Sequence, residues 1–270
     1  MTVPAERRHV LVTGAAGGLG QAITAAFRAH GDLVTAVDAR SDALAVYTPD
    51  DGVRRVVADL ADPGVGRVVD DAWNAAGPVD VLVNAAGIWP ATPLLEMQSA
   101  GWDHVLAVNT RAPLLLTIAL ARRVVETGRT ASVVNVSSGA AIRARPGATH
   151  YSASKAALEA VTRGCGVELA GLGIRVNAVA PGFVTGSSQE VNPITEDYRA
   201  AASRNPMGRP GSPTDIAEAV LFLAGPSSSW TTGAVLRVDG GSSAGSADLP
   251  IHWDRTSDLQ QPARVTPTDG

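Results

Sequence analysis

Short apolar runs alternate with amphipathic stretches along most of the chain, and this alternation constrains the fold more than any other feature. Seven runs have the length and composition of buried strands, at residues 9–13, 33–37, 54–58, 79–83, 131–136, 173–179 and 234–238. Between them, residues 19–30, 65–76, 110–127, 152–169 and 213–223 carry apolar side chains at helical spacing. A strand, a helix and a second strand in succession form a right-handed crossover between parallel strands. The sequence therefore predicts an α/β, doubly wound Rossmann fold: a seven-stranded, mostly parallel sheet with helices on both faces.

The size and composition of the chain fit one large domain. It has 270 residues, of which 45% are hydrophobic, and only three are Phe and three Tyr. A core of Val, Leu, Ile and Ala suits parallel strands that are covered on both faces. We therefore expect a single Rossmann-type catalytic domain over residues 1–244. The polar, proline-containing segment 185–210 is expected to form a lid, and residues 245–270 a C-terminal extension that is partly disordered.

Charge and cysteine content argue against several classes of partner. The net charge of −4 gives no electrostatic attraction to nucleic acid or to an anionic membrane. No apolar run approaches the roughly 20 residues that span a bilayer, and the residues before the first strand lack the apolar segment of a signal peptide. The single cysteine, Cys165, excludes an internal disulfide and suits a reducing compartment. We expect a cytoplasmic protein that binds no nucleic acid, no membrane and no metal.

A glycine-rich turn follows the first strand and leads into the first helix. Glycine lets the backbone approach a pyrophosphate closely, and the helix N-terminus offers that anion unpaired N–H groups and a partial positive charge. Because a strand precedes the turn and a helix follows it, the turn predicts a dinucleotide-binding site. The candidate binding residues are Gly14, Gly17, Gly18, Leu19 and Gly20.

Asp38, at the end of the second strand, indicates which dinucleotide is bound. It follows the glycine turn by about 20 residues, where a carboxylate accepts hydrogen bonds from the adenine ribose and repels the 2′-phosphate of NADP. The turn carries no Lys or Arg to neutralise that phosphate, and Arg40 is the one basic residue nearby. The sequence therefore favours NAD as the cofactor.

Tyr151 and Lys155 form a candidate catalytic pair. Their i, i+4 spacing on a predicted helix places the phenol and the ammonium group on one face. A nearby cation stabilises the phenolate and brings the pKa of the tyrosine toward the range in which it exchanges protons. Ser138, just past the fifth strand, is placed to donate a hydrogen bond to a developing alkoxide.

The order of these motifs resembles the short-chain dehydrogenase/reductase family, in particular its compact, single-domain, NAD-preferring branch and its 3-oxoacyl-acyl carrier protein reductase-like members. The resemblance extends from about residue 10 to residue 241. It implies a catalytic tetrad in which Tyr151 exchanges the proton, Ser138 polarises the carbonyl, Lys155 holds the nicotinamide ribose and Asn109 positions a relay water. It also implies a homotetramer, or a homodimer. The cofactor contacts that it adds to the glycine turn and Asp38 are Asp59, Leu60, Asn84, Ala85, Gly87, Tyr151, Lys155, Pro181, Gly182, Val184 and Thr185.

Two positions depart from the family pattern. Ala85 replaces the second Asn of the NNAG motif. Gly186 stands five residues beyond Pro181, where the family usually places a Thr that binds the nicotinamide carboxamide, and Thr185 comes one residue early. Either the loop is shifted, or Thr185 and Ser187 share the contact.

Several residues near the expected pocket have two interpretations. Trp89 either stacks on a substrate ring or seals its loop against the sheet. Arg143 and Arg145, between Ser138 and Tyr151, either clamp a carboxylate or phosphate, or are loop charges in solvent or at a subunit interface.

The predicted function is an NAD(H)-dependent oxidoreductase that interconverts a secondary alcohol and a ketone by hydride transfer, with Tyr151 as the acid/base. One alternative is a 3-oxoacyl-thioester reductase, and another is a catalytically silent NAD-binding protein, against which the complete tetrad argues. A sugar-nucleotide epimerase would need a C-terminal substrate domain, for which too few residues follow Gly241.

Overall fold

Seven parallel strands form the centre of the molecule. The computed structural model describes residues 7–48, 51–186 and 195–246. The strands are β1 (His9–Thr13), β2 (Leu33–Asp38), β3 (Val53–Val57), β4 (Val81–Asn84), β5 (Ala131–Val136), β6 (Ile174–Pro181) and β7 (Val235–Val238). Their order in the sheet is β3-β2-β1-β4-β5-β6-β7, and every neighbouring pair is parallel. The predicted Rossmann fold is confirmed.

Helices cover both faces of this sheet. They are α1 (Gly18–Ala29), α2 (Arg67–Ala76), α3 (Ser99–Leu106), α4 (Ala112–Thr127), α5 (Thr149–Leu169), α6 (Glu196–Ala202) and α7 (Pro213–Ala224). The sequence did not predict α3, which has one buried residue, Val105, and so lacks a clear apolar stripe. It also did not predict α6, which lies within the expected lid and has no buried residue.

The alternating side chains of the strands build two apolar layers. On one face, Val10 and Val12 of β1 pack with Phe27 of α1 and Ile216 of α7. On the other face, Leu11 packs in a cluster that includes side chains of α2 and α4. Most side chains of both layers are buried, which fixes the sheet and therefore the positions of the loops at its carboxyl edge.

One continuous helical stretch is long and apolar enough to cross a membrane. It runs over Ser99–Thr127, and an 18-residue window within it has a mean hydropathy of 1.4. The expectation of no uninterrupted apolar run of about 20 residues still holds, because Arg111 and Arg122 interrupt the stretch. About half of its apolar window, 56%, is buried inside the protein. Leu116 and Leu120 of α4 belong to the core against the sheet. The apolar character of this stretch therefore serves, at least in part, to pack the core.

The strand order reverses beside β1, where the chain leaves toward β2 on one side and returns as β4 on the other. In open α/β sheets, ligands bind in the crevice that forms outside the carboxyl ends of the strands at such a point. The register aligns Thr13 with Asn84 and Asn84 with Asn135. The turns that leave β1, β4 and β5 therefore meet at one edge.

Candidate active site

The glycine turn between β1 and α1 is shaped by close backbone contacts. Gly14 has a left-handed φ of +64°, and a Cβ there would lie 2.6 Å from the Cα atom of Ala86. A Cβ on Gly20 would lie 2.1 Å from the carbonyl oxygen of Gly14. Only glycine fits at these two positions. The turn therefore lies directly against the loop that follows β4.

The N-terminus of α1 is open to an anion. Its N-cap, Gly17, makes no side-chain cap, and the first turn, which contains Gly18 and Leu19, has no acidic residue. Unpaired N–H groups and the helix dipole at such an end favour a phosphate. From behind, the Tyr47 hydroxyl donates a 2.6 Å hydrogen bond to the carbonyl oxygen of Ala15 and fixes the turn. The chemistry of this end fits a dinucleotide pyrophosphate.

Asp38 is nearly buried at the end of β2 and is tied to the glycine turn. Its Oδ2 accepts a 3.1 Å hydrogen bond from the Ala16 amide. Its Oδ1 accepts hydrogen bonds from the amide of Arg40, at 3.1 Å, and from Nε of the same residue, at 3.4 Å. The carboxylate therefore lies beside the turn, where the sequence placed the adenine ribose.

Three further predicted cofactor contacts, Asp59, Leu60 and Asn84, lie just after β3 and at the end of β4. Asp59 is exposed, and its Oδ1 accepts a 2.8 Å hydrogen bond from the Ala61 amide, while Leu60 packs into the core. Asn84 is buried, and its Nδ2 donates a 2.8 Å hydrogen bond to Oδ1 of Asn135 on the neighbouring strand. This bond joins the ends of β4 and β5.

Ser138, Tyr151 and Lys155 line one cavity of about 390 Å³ at the carboxyl edge. Ser138 follows β5, and its Oγ caps a short turn by accepting a hydrogen bond from the Ala140 amide. Lys155 is buried, donates a 2.8 Å hydrogen bond to the carbonyl oxygen of Val136, and places Nζ 5.9 Å from the centre of the Tyr151 ring. The structure thus brings together the three side chains that the sequence separates by 13 and four positions.

Asn109 lies in a turn of π-helix, Ala107–Arg111, that interrupts the run between α3 and α4. Its side chain accepts a hydrogen bond from the Ile88 amide at 2.9 Å and donates to the Ile88 carbonyl oxygen at 2.8 Å. A further 3.0 Å hydrogen bond joins it to Oγ of Ser154 on α5. A Cβ on Gly87 would lie 3.4 Å from Lys155 Nζ and 3.5 Å from Asn109 Oδ1. Asn109 therefore anchors the loop after β4 beside the lysine, and its role with a relay water stays a prediction.

The end of β6 forms the wall of the same cavity. Pro181, Gly182, Val184 and Thr185 all line it. A Cβ on Gly182 would lie 2.8 Å from the Cα atom of Asp239, so this strand end packs tightly against the segment after β7. The Thr185 amide donates a 3.0 Å hydrogen bond to the Gly211 carbonyl oxygen, and its hydroxyl lies 3.4 Å from that oxygen. Ser187, the other candidate for the carboxamide contact, lies outside the described residues.

Aromatic and basic side chains surround the tyrosine. The Trp89 ring lies 6.3 Å from the Tyr151 ring at 56°, so Trp89 borders the cavity. Arg145 lies between two phenol rings, with Cζ 5.8 Å from the Tyr151 centroid and 5.7 Å from that of Tyr198 on α6. Arg143 donates a 2.5 Å hydrogen bond to the Ser242 carbonyl oxygen.

Known proteins match nearly the whole chain. The family model described as Enoyl-(Acyl carrier protein) reductase matches residues 14–243. The 3-oxoacyl-(acyl-carrier-protein) reductase FabG of Thermotoga maritima is 38% identical over 87% of this chain and 98% of its own. Galactitol 2-dehydrogenase (L-tagatose-forming) of Cereibacter sphaeroides is 39% identical over 85% of this chain and 92% of its own.

The chain belongs to the short-chain dehydrogenase/reductase family. As a short-chain dehydrogenase/reductase it is an oxidoreductase that interconverts alcohols and ketones with NAD(P). A solved structure of a blue fluorescent protein from a metagenomic library, in complex with NADPH, superposes with a TM-score of 0.78 at 34% identity, over 87% of this chain and 97% of that chain.

The departure of this short-chain dehydrogenase/reductase at Gly186 has a backbone reason. Gly186 has a φ of +74°, a left-handed conformation that a β-branched residue rarely adopts. A threonine at this position would be strained, whereas Thr185 directly follows the bridge between Val184 and Gly211. Which hydroxyl contacts the nicotinamide carboxamide stays a prediction.

Tyr151 and Lys155 both have shifted pKa values. Burial raises the pKa of the Tyr151 phenol from its usual 10, and the Ser138 hydroxyl and the Arg145 guanidinium lower it only in part. Burial lowers the pKa of Lys155 from its usual 10.5 to about 8. The sequence predicted a tyrosine pKa that is lowered by Lys155, but the net direction is upward because burial disfavours both charged forms.

Several side chains of the site were not predicted from the sequence. Tyr198 and Phe183 meet edge to face, with ring centres 6.4 Å apart, and both line the cavity. Ser154 supports Asn109, and Tyr47 supports the glycine turn. Ser154 lies inside the Tyr151–Lys155 motif, so its position in the sequence could have identified it. Tyr198 and Tyr47 lie in segments without a regular apolar pattern, and nothing in the sequence identifies them.

Proposed function

We propose that this enzyme is an NAD-preferring dehydrogenase of secondary alcohols, or reductase of the matching ketones, with Tyr151 as its acid/base. The observation that carries the proposal is that Tyr151, Ser138 and Lys155 line one cavity at the edge where the glycine turn also lies. The proposed cofactor contacts are the residues predicted from the sequence, within a catalytic domain that spans residues 1–244.

Side chains of the protein would orient the reacting oxygen of the substrate and transfer its proton. A dinucleotide held by the glycine turn, Asp38 and Lys155 would supply the hydride acceptor for oxidation of the alcohol carbon, or the hydride donor for reduction of the ketone. In the oxidative direction, the Tyr151 phenolate takes the hydroxyl proton as the C–O bond becomes a carbonyl, and in reduction the phenol returns it. Ser138 donates a hydrogen bond to the same oxygen. Lys155, fixed by Val136, supplies positive charge on the side of the tyrosine that faces the loop after β4.

The preference for NAD rests on Asp38. Its carboxylate is nearly buried beside the glycine turn, where a 2′-phosphate would meet a negative charge. Arg40 does not cancel the repulsion of a 2′-phosphate, because its Nε lies 3.4 Å from Asp38 Oδ1 and its positive charge is already paired with that carboxylate. The blue fluorescent protein was solved in complex with NADPH, so the proposed preference for NAD is supported by Asp38 and not by this neighbour.

A 3-oxoacyl-thioester reductase is the second candidate. The matching family model and the Thermotoga relative both carry acyl carrier protein in their descriptions. The Cereibacter relative is named for a polyol substrate instead. Thioester reductases and polyol dehydrogenases therefore both occur among relatives of similar sequence identity to this chain.

We further propose a homotetramer in the cytoplasm that acts on small molecules. The resemblance to the family supports the assembly, as do the apolar side chains Phe222 of α7 and Leu236 of β7, which are 45% and 36% exposed. A light-scattering mass in solution would separate the tetramer from the dimer and the monomer.

The test is NADH consumption with a panel of ketones, including a 3-oxoacyl thioester, at pH 7. We expect turnover of at least one ketone with NADH, and a rate with NADPH that is lower by about tenfold. Tight NADH binding without turnover of any ketone, alcohol or diol would favour a silent NAD-binding protein instead.

A further inference from the structure

The cavity over Tyr151 has an excess of positive charge. Besides Lys155, its lining includes Arg143, Arg145 and Arg204. The one carboxylate in that lining is Asp239, whose oxygens accept 2.9 Å hydrogen bonds from the amides of Gly241 and Ser243. A cationic cavity in a chain of net charge −4 points to an anionic occupant.

Arg145 is the best placed of these cations. It is half-buried, and its guanidinium is held in a fixed position between the rings of Tyr151 and Tyr198. One of its N–H groups donates to the Tyr198 hydroxyl. A guanidinium has five N–H donors, so most of them stay available to a ligand.

No carboxylate in the described residues forms an ion pair with Arg145, Arg143 or Arg204. Several arginines elsewhere do form ion pairs: Arg209 lies 2.8 Å from Asp215, for example. A half-buried guanidinium gains a stronger partner when a carboxylate or phosphate approaches, because the planar fork binds two oxygens at once.

The position of Arg145 relates this charge to the reaction. Tyr151 would hold the reacting oxygen of the substrate, and the Arg145 Cζ atom lies 5.8 Å from the centre of the same ring. Trp89 borders the ring at 6.3 Å. A small substrate whose anionic group lies a few bonds from the reacting carbon can therefore contact Tyr151 and Arg145 at the same time.

Resting on the proposed function, we propose that the substrate is an anionic alcohol or ketone, a hydroxy or oxo acid or its phosphate counterpart, whose anionic group binds Arg145. Arg143 and Arg204 add positive charge to the same cavity, and Tyr198 holds Arg145 in place. A neutral ketone of the same size would lack this contact.

Equilibrium binding to the enzyme saturated with NAD⁺ tests the inference, since a ketone cannot react with the oxidised cofactor. The probes are two matched pairs: 3-oxobutanoate with its methyl ester, and dihydroxyacetone phosphate with dihydroxyacetone. We expect the anionic member of at least one pair to bind about tenfold more tightly than its neutral partner. The pair that shows this ratio identifies carboxylate or phosphate as the recognised group.

The variant Arg145→Gln should reduce that ratio to about twofold or less, with little change for the neutral ligand. Arg55→Gln, which removes an exposed arginine on β3, is the matched control and should keep the full ratio. A thermal melt of each variant verifies that it is folded.

Equal binding of both members of each pair, no binding of any of the four, or a ratio that persists in Arg145→Gln would overturn the inference. Failure of NAD⁺ itself to bind, seen in the first step of the same titration, would contradict the proposed function instead.

Discussion

The ammonium group of Lys155 donates a 2.8 Å hydrogen bond to the carbonyl oxygen of Val136, at the end of β5. This bond fixes a buried cation beside the tyrosine ring. A pKa that falls from 10.5 to about 8 corresponds to roughly 3 kcal/mol between the charged and neutral forms of the lysine. Keeping the buried Lys155 charged therefore lowers the stability of the folded protein.

Replacing Lys155 with Met should change how stability depends on pH. Below about pH 8 the wild type keeps its buried charge and bears the full penalty. Between about pH 8 and 10.5 the folded state binds fewer protons than the unfolded state, so the penalty is lost as pH rises. The stability of Lys155→Met relative to wild type should thus be highest near pH 7 and decline by up to about 3 kcal/mol toward pH 10.5.

Urea unfolding of both proteins across this pH range measures that difference, and a constant difference would contradict a buried, charged lysine. The same variant should lose about 100-fold or more in kcat, because the tyrosine loses its fixed cation.

Asp38→Ser should change the cofactor preference. Removing the carboxylate relieves its repulsion of the 2′-phosphate and releases Arg40 to bind it, so the ratio of the Kd values for NADPH and NADH should fall by about tenfold or more. Fluorescence titration with both cofactors gives the ratio.

Asp59→Asn is the matched control for Asp38→Ser. Asp59 is exposed, and the family resemblance implies that it contacts the adenine, which NADH and NADPH share, so this variant should weaken both cofactors to a similar extent and leave the ratio unchanged. An unchanged ratio in Asp38→Ser would mean that Asp38 does not select the cofactor.

Gly20→Ala should damage the glycine turn. The added Cβ would lie 2.1 Å from the Gly14 carbonyl oxygen, so the turn must shift, and we expect a loss of about 3 kcal/mol of stability and of most NADH affinity. Gly101→Ala in α3 is the control, because a Cβ there meets nothing within 4 Å. This control should be neutral or more stable by up to about 1 kcal/mol. Similar melting temperatures for both variants would refute the close contact.

Asn109→Ala should loosen the loop after β4. It removes both hydrogen bonds to Ile88 and the one to Ser154, and leaves buried partners unsatisfied, so we expect a loss of about 2–3 kcal/mol in urea unfolding, together with a fall in kcat. Ser154→Ala removes only the last of these bonds, together with the 2.7 Å hydrogen bond from its own hydroxyl to the Tyr151 carbonyl oxygen, and should lose about 1 kcal/mol. If the two variants were equally stable, the Ile88 contacts would not hold the loop.

The sequence predicted the strands well because each is a short, buried apolar run between turns. β1 and β5 begin and end at the predicted residues, and the other strands differ by one to a few residues. The glycine turn and Asp38 could be singled out as candidate cofactor contacts because the turn directly follows β1 and Asp38 ends β2.

The rest of the site depends on contacts between distant segments. The pairing of Arg145 with Tyr198 joins a loop to a short helix that has no buried residue and hence no apolar pattern. The raised pKa of Tyr151 reflects burial, which spacing along a helix does not reveal. The anchor of Asn109 on Ile88 requires a π-helical turn, a local feature without a sequence signature.

The most direct test of the central claim compares wild type with Tyr151→Phe in NADH consumption with a ketone that the wild type reduces. The ring and its contacts with Trp89 and Arg145 stay, while the exchangeable proton is lost. We predict that kcat falls by about 100-fold or more, while the Kd for NADH changes by about twofold or less. Equal turnover by the two proteins would contradict the assignment of Tyr151 as the acid/base.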